Sequence, residues 1–225
     1  MSEREDRRRR SDAERNRRRV LEAAAEVFRE QGLEAPVGEI AQRAGVGRGT
    51  LFRNFPSKAD LIAAILVDEM SAAAARARAL CERPDAGAAL FEFLDDIAGR
   101  QRADRALFEA VADSFLANPE IRLAHDEVIA ALDELLSAAK AAGAVRADIG
   151  AVDVLLLLKG VCEVAGTYGH VDPGLVDRQL DLVRCALSAP AESQPLRGRT
   201  LSADELDPRS PPAAHQPSRR RRASV

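Results

Sequence analysis

Cysteine is scarce and badly placed for cross-linking. Cys81, Cys162 and Cys185 are odd in number, far apart and without a C-x-x-C spacing, which argues against a disulfide framework or a zinc site. The N-terminus lacks the hydrophobic core of a secretory signal, opening instead on Arg and Glu. Long apolar runs are missing too: the longest cluster, from about Val152 to Val164, is broken by Lys159 and Glu163. It falls short of the roughly 20 residues a membrane span requires, so a reducing cytoplasm is the expected location. No segment alternates apolar and polar residues in the manner of a half-buried strand, and no internal repeat is present. An all-α protein is expected.

What is present is an ordinary globular composition, 46% apolar and 31% charged over 225 residues, enough for one sizeable core or one core with a small satellite domain. The net charge of −3 hides an uneven distribution. Residues 1–60 hold 14 Lys and Arg against 11 Asp and Glu, residues 61–189 hold 12 against 21, and residues 190–225 hold 7 against 4. Basic ends around an acidic middle fit a polyanionic partner near the N-terminus and oppose one wrapped about the centre.

Four segments follow from the pattern. Residues 1–11, with Arg7, Arg8, Arg9 and Arg10, have almost nothing to bury and read as a disordered basic arm, either solvated or able to order on a nucleic-acid backbone. In residues 12–57 an amphipathic helix carries Val20, Leu21, Ala24, Val27 and Phe28 on one face and stops at Gly32. After Pro36 a helix of about two turns places Ile40, Ala41 and Ala44 together, and Gly45 suits the left-handed cap that ends it. A third helix starts near Gly47 or Arg48. At about 100° per residue Leu51 and Phe55 point inward, with Arg53 opposite and Gly49, Thr50 and Asn54 beside it. Such a short helix must be held by packing.

Pro56 ends the third helix, and Ser57 with Asp60 reads as a capping box for a long fourth helix striped by Leu61, Ile62, Ile65, Leu66 and Met70. Within residues 58–189 further helices are expected at about 86–100, 103–117, 120–142, 151–169 and 173–188. Pro and Arg dominate residues 190–225, expected as a disordered tail because little apolar surface offsets the cost of ordering, about 1 to 2 kcal/mol per residue.

Helix, glycine turn and helix with a small, basic outer face is the form of a major-groove reader. Gly49 costs about 1 kcal/mol against Ala in a helix and makes sense where another surface approaches closely. Lys58 opposes the macrodipole of the fourth helix by some 0.3 to 1 kcal/mol, a cost explained if it sits with free amides at a phosphate. The stretch Ile40-Ala-x-x-Ala44-Gly45-Val46-x-x-Gly49-Thr50-Leu51-Phe52-x-x-Phe55-x-x-Lys58-x-x-Leu61 resembles the DNA-binding domain of the TetR/AcrR family of bacterial transcriptional regulators, over about residues 15–62. The resemblance implies three N-terminal DNA-binding helices and a larger helical domain that dimerises and binds a small effector. By similarity Thr50, Phe52, Arg53 and Lys58 face operator DNA, joined on the same surface by Arg48, Gly49 and Asn54. The family commonly has Tyr where Phe52 stands, so a hydroxyl contact to phosphate is missing here.

The second domain has no comparable motif. An effector pocket is expected from Phe91, Leu94, Phe108, Phe115, Asp113, His125, Glu163 and Tyr168, although the apolar members at helical spacing serve equally as core. In the TetR architecture the last two helices form a four-helix bundle with their copies, so 151–188 is the expected homodimer interface. No metal motif or nucleophile–base pairing is seen, and no catalytic residue or cofactor is expected. The expected function is a repressor of transcription released by a small apolar or amphipathic effector; the alternative is a helical carrier or enzyme whose N-terminal unit no longer binds DNA.

Overall fold

The computed structural model describes residues 3–103, 118–168, 171, 172, 174–189, 196, 199 and 201, with side chains described from Asp12 to Arg100 in the first stretch. Helices account for nearly all of it: α1 (Glu3–Gln31), α2 (Val37–Ala44), α3 (Arg48–Asn54), α4 (Lys58–Cys81), α5 (Ala86–Ala103), α6 (Pro119–Ala141), α7 (Ala151–Tyr168) and α8 (Leu175–Leu187). Among the described residues the β structure is a single antiparallel bridge, Val145 to Ser188. No helix among them is long and apolar enough to cross a membrane. The helix expected over 103–117 lies almost entirely outside the described residues, as does nearly all of 190–225.

One expectation about the N-terminus needs correction. Helix α1 begins at Glu3 rather than near Asp12, so the backbone of the basic arm is helical from Glu3 onward. Extending a helix already nucleated by packing adds a hydrogen bond per residue at little cost, and Arg is among the better helix formers.

Two apolar cores divide the chain. The N-terminal core joins Val20, Ala24, Val27 and Phe28 of α1, Ile40, Ala41 and Ala44 of α2, Leu51 and Phe55 around α3, and Leu61, Ile65 and Leu66 of α4. The C-terminal core joins Ala73, Ala74, Ala77 and Leu80 of α4 to buried faces of α5, α6, α7 and α8. Helix α4, 24 residues long and so about 36 Å, therefore belongs to both, and Met70 near its middle packs against each. One residue of α6 also enters the N-terminal core: Ile121 is fully buried there, whereas Leu132, Leu135 and Leu136 further along α6 belong to the C-terminal core.

The ends of α4 and α6 explain how these helices are set. At α4 the Ser57 hydroxyl accepts from the Asp60 amide at 3.1 Å and the Asp60 carboxylate accepts from the Ser57 amide at 2.9 Å, the expected capping box. At α6 the Asn118 side chain accepts from the Glu120 and Ile121 amides, with Pro119 in the first turn. Both arrangements satisfy amides that the helix itself leaves without partners. Arg76 reaches from α4 to Asp96 and Glu92 of α5, and Arg43 ties α2 to Glu30 of α1 at 2.8 Å.

Candidate DNA-binding surface

The turn between α2 and α3 depends on Gly45, whose φ of 65° is left-handed. Its amide and that of Val46 turn back onto Gln42 and Ala41 carbonyls, at 3.1 and 3.0 Å, closing α2 so that the chain reverses into α3. A side chain strains that backbone. We expect Gly45→Ala to lower stability by about 1–2 kcal/mol, read as a fall in thermal midpoint; an unchanged midpoint would show that the turn tolerates another conformation.

Helix α3 has seven residues and is held by two anchors. Leu51 is 1% exposed and Phe55 2%, while Phe52 at 41% and Arg53 lie outside. The wheel expected for α3 is therefore the one observed. Gly49 is exposed, and the nearest atom to a Cβ added there is Nη2 of Arg53, at 3.9 Å. An alanine would fit, so no contact among the described residues requires glycine. Arg48 is exposed beside Gly38.

Asn54 and Lys58 are less free than expected. The Asn54 side-chain amide donates to the Thr50 carbonyl at 2.9 Å, folding back along α3, while Thr50 is itself half-buried. The Lys58 ammonium stands 5.9 Å from the centroid of the Phe28 ring. That cation–π contact offsets part of the electrostatic cost of a lysine in the first turn of α4. Two arginines of α1 also border this surface and were not singled out as site residues. The Arg17 guanidinium lies 5.1 Å over the Phe55 ring, and Arg19 stands against Gly45, with Nη2 2.7 Å from where a Cβ would be. Their clustering at α3 depends on the crossing of α1 and α2, which periodicity along either helix does not reveal.

Among the described residues, those expected to form an effector pocket lie in different surroundings. Phe108, Asp113 and Phe115 lie outside the described residues. Leu94 is 1% exposed within the C-terminal core. Phe91 is half-buried beneath the Arg184 guanidinium, 5.8 Å from its ring centroid. His125 is half-buried on α6, and burial moves its imidazole toward the neutral form against the opposing pull of Asp126. Glu163 and Tyr168 are exposed on α7. A cavity of about 350 Å³ between α5 and α8 is lined instead by Asp95, Gly99, Val176, Asp177, Leu180, Asp181 and Arg184. This volume is at the small end of the roughly 300 to 1,000 Å³ usual for ligand sites. Burial pushes the Cys162 thiol up to about 11 and raises that of Cys81 as well, which disfavours the thiolate at both.

The geometry agrees with comparisons of sequence and structure. Residues 20–65 match the model of bacterial regulatory proteins of the tetR family, and residues 85–188 match that of the SbtR-like transcriptional regulator C-terminal domain. A TetR transcription regulatory protein from Mycobacterium vanbaalenii is 36% identical, with 80% of this chain and 98% of that one covered and a TM-score of 0.63. The chain belongs to the TetR family of transcriptional regulators. A second TetR transcriptional regulator, SCO0520 from Streptomyces coelicolor, is 31% identical over 78% of this chain and 99% of its own, with a TM-score of 0.62. An HTH-type transcriptional regulator of Staphylococcus aureus (strain USA300) is 45% identical over 53 residues, 23% of this chain. That match spans 29% of the curated relative. The N-terminal family match runs from α1 into the start of α4 and the C-terminal match covers α5 to α8.

Proposed function

We propose that this TetR-family regulator acts as a homodimeric repressor, entering the major groove of operator DNA with α3 and leaving it when a small effector binds. The supporting observation is α3 itself, fixed from behind by Leu51 and Phe55 and showing outward a glycine with room for a methyl group next to Arg53. A groove about 12 Å wide admits one such helix. Gly49 lets the helix axis approach the bases, Arg53 reaches a base edge, and Arg48, Thr50 and Phe52 border the backbone. Lys58 contributes charge at the start of α4, where the helix macrodipole also favours an anion. Asn54 reads bases only by giving up its bond to the Thr50 carbonyl.

Dimerisation is supported by α7 and α8. Leu156 is 44% exposed, Leu157 39%, Tyr168 54% and Leu182 54%, a set of apolar side chains on adjacent helices that water leaves poorly solvated. Gly160 and Ala186 lie along the same exposed faces and allow a second helix pair to approach closely. A second copy there sets two α3 helices about one turn of DNA apart, roughly 34 to 36 Å.

Release requires an effector with different affinities for two arrangements of the dimer. Helix α4 and Ile121 are the physical links, since each packs into the N-terminal core from a helix rooted in the other one. Among the residues expected for the pocket, Phe91 and His125 keep an open side at the described surface, and a small apolar or amphipathic molecule suits the domain. Its binding is measurable as a rise in thermal midpoint that grows with ligand concentration.

The division of labour on the surface is tested on operator variants obtained by selection from random duplexes. Arg53→Ala should cost about 1–3 kcal/mol and relax preference at one position of each half-site, whereas Lys58→Ala should weaken all sequences alike. Equal loss across every operator variant for Arg53→Ala would reassign that arginine to phosphate.

A further inference from the structure

The N-terminal extension of α1 has a charge pattern that the helix-turn-helix unit does not account for. Burial on α1 begins at Val20; from Asp12 to Arg19 all side chains are exposed except Asn16, which is half-buried. Glu3 to Arg19 spans about 25 Å of helix ahead of Val20, at 1.5 Å per residue. At about 100° per residue, Arg4, Arg7, Arg8, Ser11, Arg15, Arg18 and Arg19 fall within one sector of about 120°, opposite the face that carries Val20, Ala24 and Val27. The carboxylates of this stretch, Glu3, Glu5, Asp6, Asp12 and Glu14, all occupy positions outside the sector, although Asp12 reaches in from its edge to pair with Arg15.

A second observation places the sector. Arg19, its last member, stands on the Gly45 turn that leads into α3, so the stripe starts beside the proposed DNA-facing surface and runs away from it along α1. Duplex DNA carries one negative charge per roughly 1.7 Å of its axis, which makes a helix sector of arginine positions about 25 Å long complementary to a length of backbone rather than to a single anion.

We propose that the α1 extension is a second DNA-contacting element, lying along the phosphates that flank each half-site. This rests on the operator-binding reading above. The extension adds affinity and salt dependence without reading bases, so it lengthens the bound DNA while leaving the selected sequence unchanged.

The test uses the full chain and two duplexes, one trimmed to the selected half-sites and one extended by about 10 base pairs at each end. The variant Arg4→Gln/Arg7→Gln/Arg8→Gln removes charge and keeps good helix formers. Wild type is expected to bind the long duplex more tightly and with a steeper salt dependence. The variant should lose that difference, its log–log slope falling by about 0.9 for each phosphate released, hence by about 2 to 4 for one or two contacts per protomer. The corresponding lysine variant should keep most of it. Equal slopes for wild type and variant on the long duplex would overturn the proposal, as would an equal loss on both duplexes. Wild-type binding to neither duplex would overturn the operator-binding reading as well, and charge-dependent binding to anionic vesicles with unchanged DNA slopes would assign the stripe to a membrane.

Discussion

Phe28→Ala is expected to disable DNA binding while most of the helical domain stays folded. Phe28 is fully buried in the N-terminal core, among side chains from α1, α2, α3 and α4, and its ring lies beneath the Lys58 ammonium. Truncating such a residue removes transfer free energy and leaves a cavity, together about 3–5 kcal/mol. A domain with a total stability of about 5 to 15 kcal/mol loses a large share of its margin. Helix α3 suffers most, because seven residues cannot sustain a helix without the packing beneath Leu51 and Phe55. The C-terminal core contains no residue of α1 to α3, so helix content should fall only in part. Denaturant unfolding with amide exchange measures both effects. An unchanged operator affinity with native protection in α3 would show that the reader does not depend on this core.

The second large effect is expected from Leu156→Glu combined with Leu182→Glu. Both side chains are about half exposed on the α7 and α8 faces, so the substitutions place charge in solvent in the monomer and bury it in the dimer. An unpaired charge desolvated at an interface costs several kcal/mol. The double variant should sediment as a folded monomer. Operator affinity should then drop by about 10² to 10⁴, the advantage of linking two half-site contacts. A double variant that remains dimeric and keeps its affinity would place the interface elsewhere.

Local features of the chain were open to reading from the sequence. The capping box at Ser57 and Asp60, the left-handed Gly45, the inward Leu51 and Phe55 and the outward Arg53 each depend on residues within a few positions of one another, where helix geometry alone decides. The bounds of α5, α6, α7 and α8 follow from the same periodicity and from Pro and Gly between them. Long-range choices were hidden. The apolar stripe of α6 looks continuous from Ile121 to Leu136, yet Ile121 packs into the N-terminal core and the rest into the other. Nothing in a stripe says how many partners share it. Arg19 at Gly45 and Phe91 under Arg184 likewise depend on helix crossings. Asn54 chose a carbonyl four residues back, a local competitor that exposed polar side chains meet in every helix. The start of α1 at Glu3 depends on the low cost of extending an existing helix, which burial along the sequence does not show.

The central claim, that α3 presents a sequence reader to duplex DNA, is tested most directly by selecting duplexes from a random pool and titrating the selected one with salt. The account predicts enrichment of a two-fold-related site whose halves lie about one helical turn apart. It also predicts a loss of about 10³ to 10⁵ in affinity between 50 and 200 mM salt, as for 6 to 10 phosphate contacts. A pool that shows no enrichment, or a selected duplex whose affinity is indifferent to salt, would contradict it.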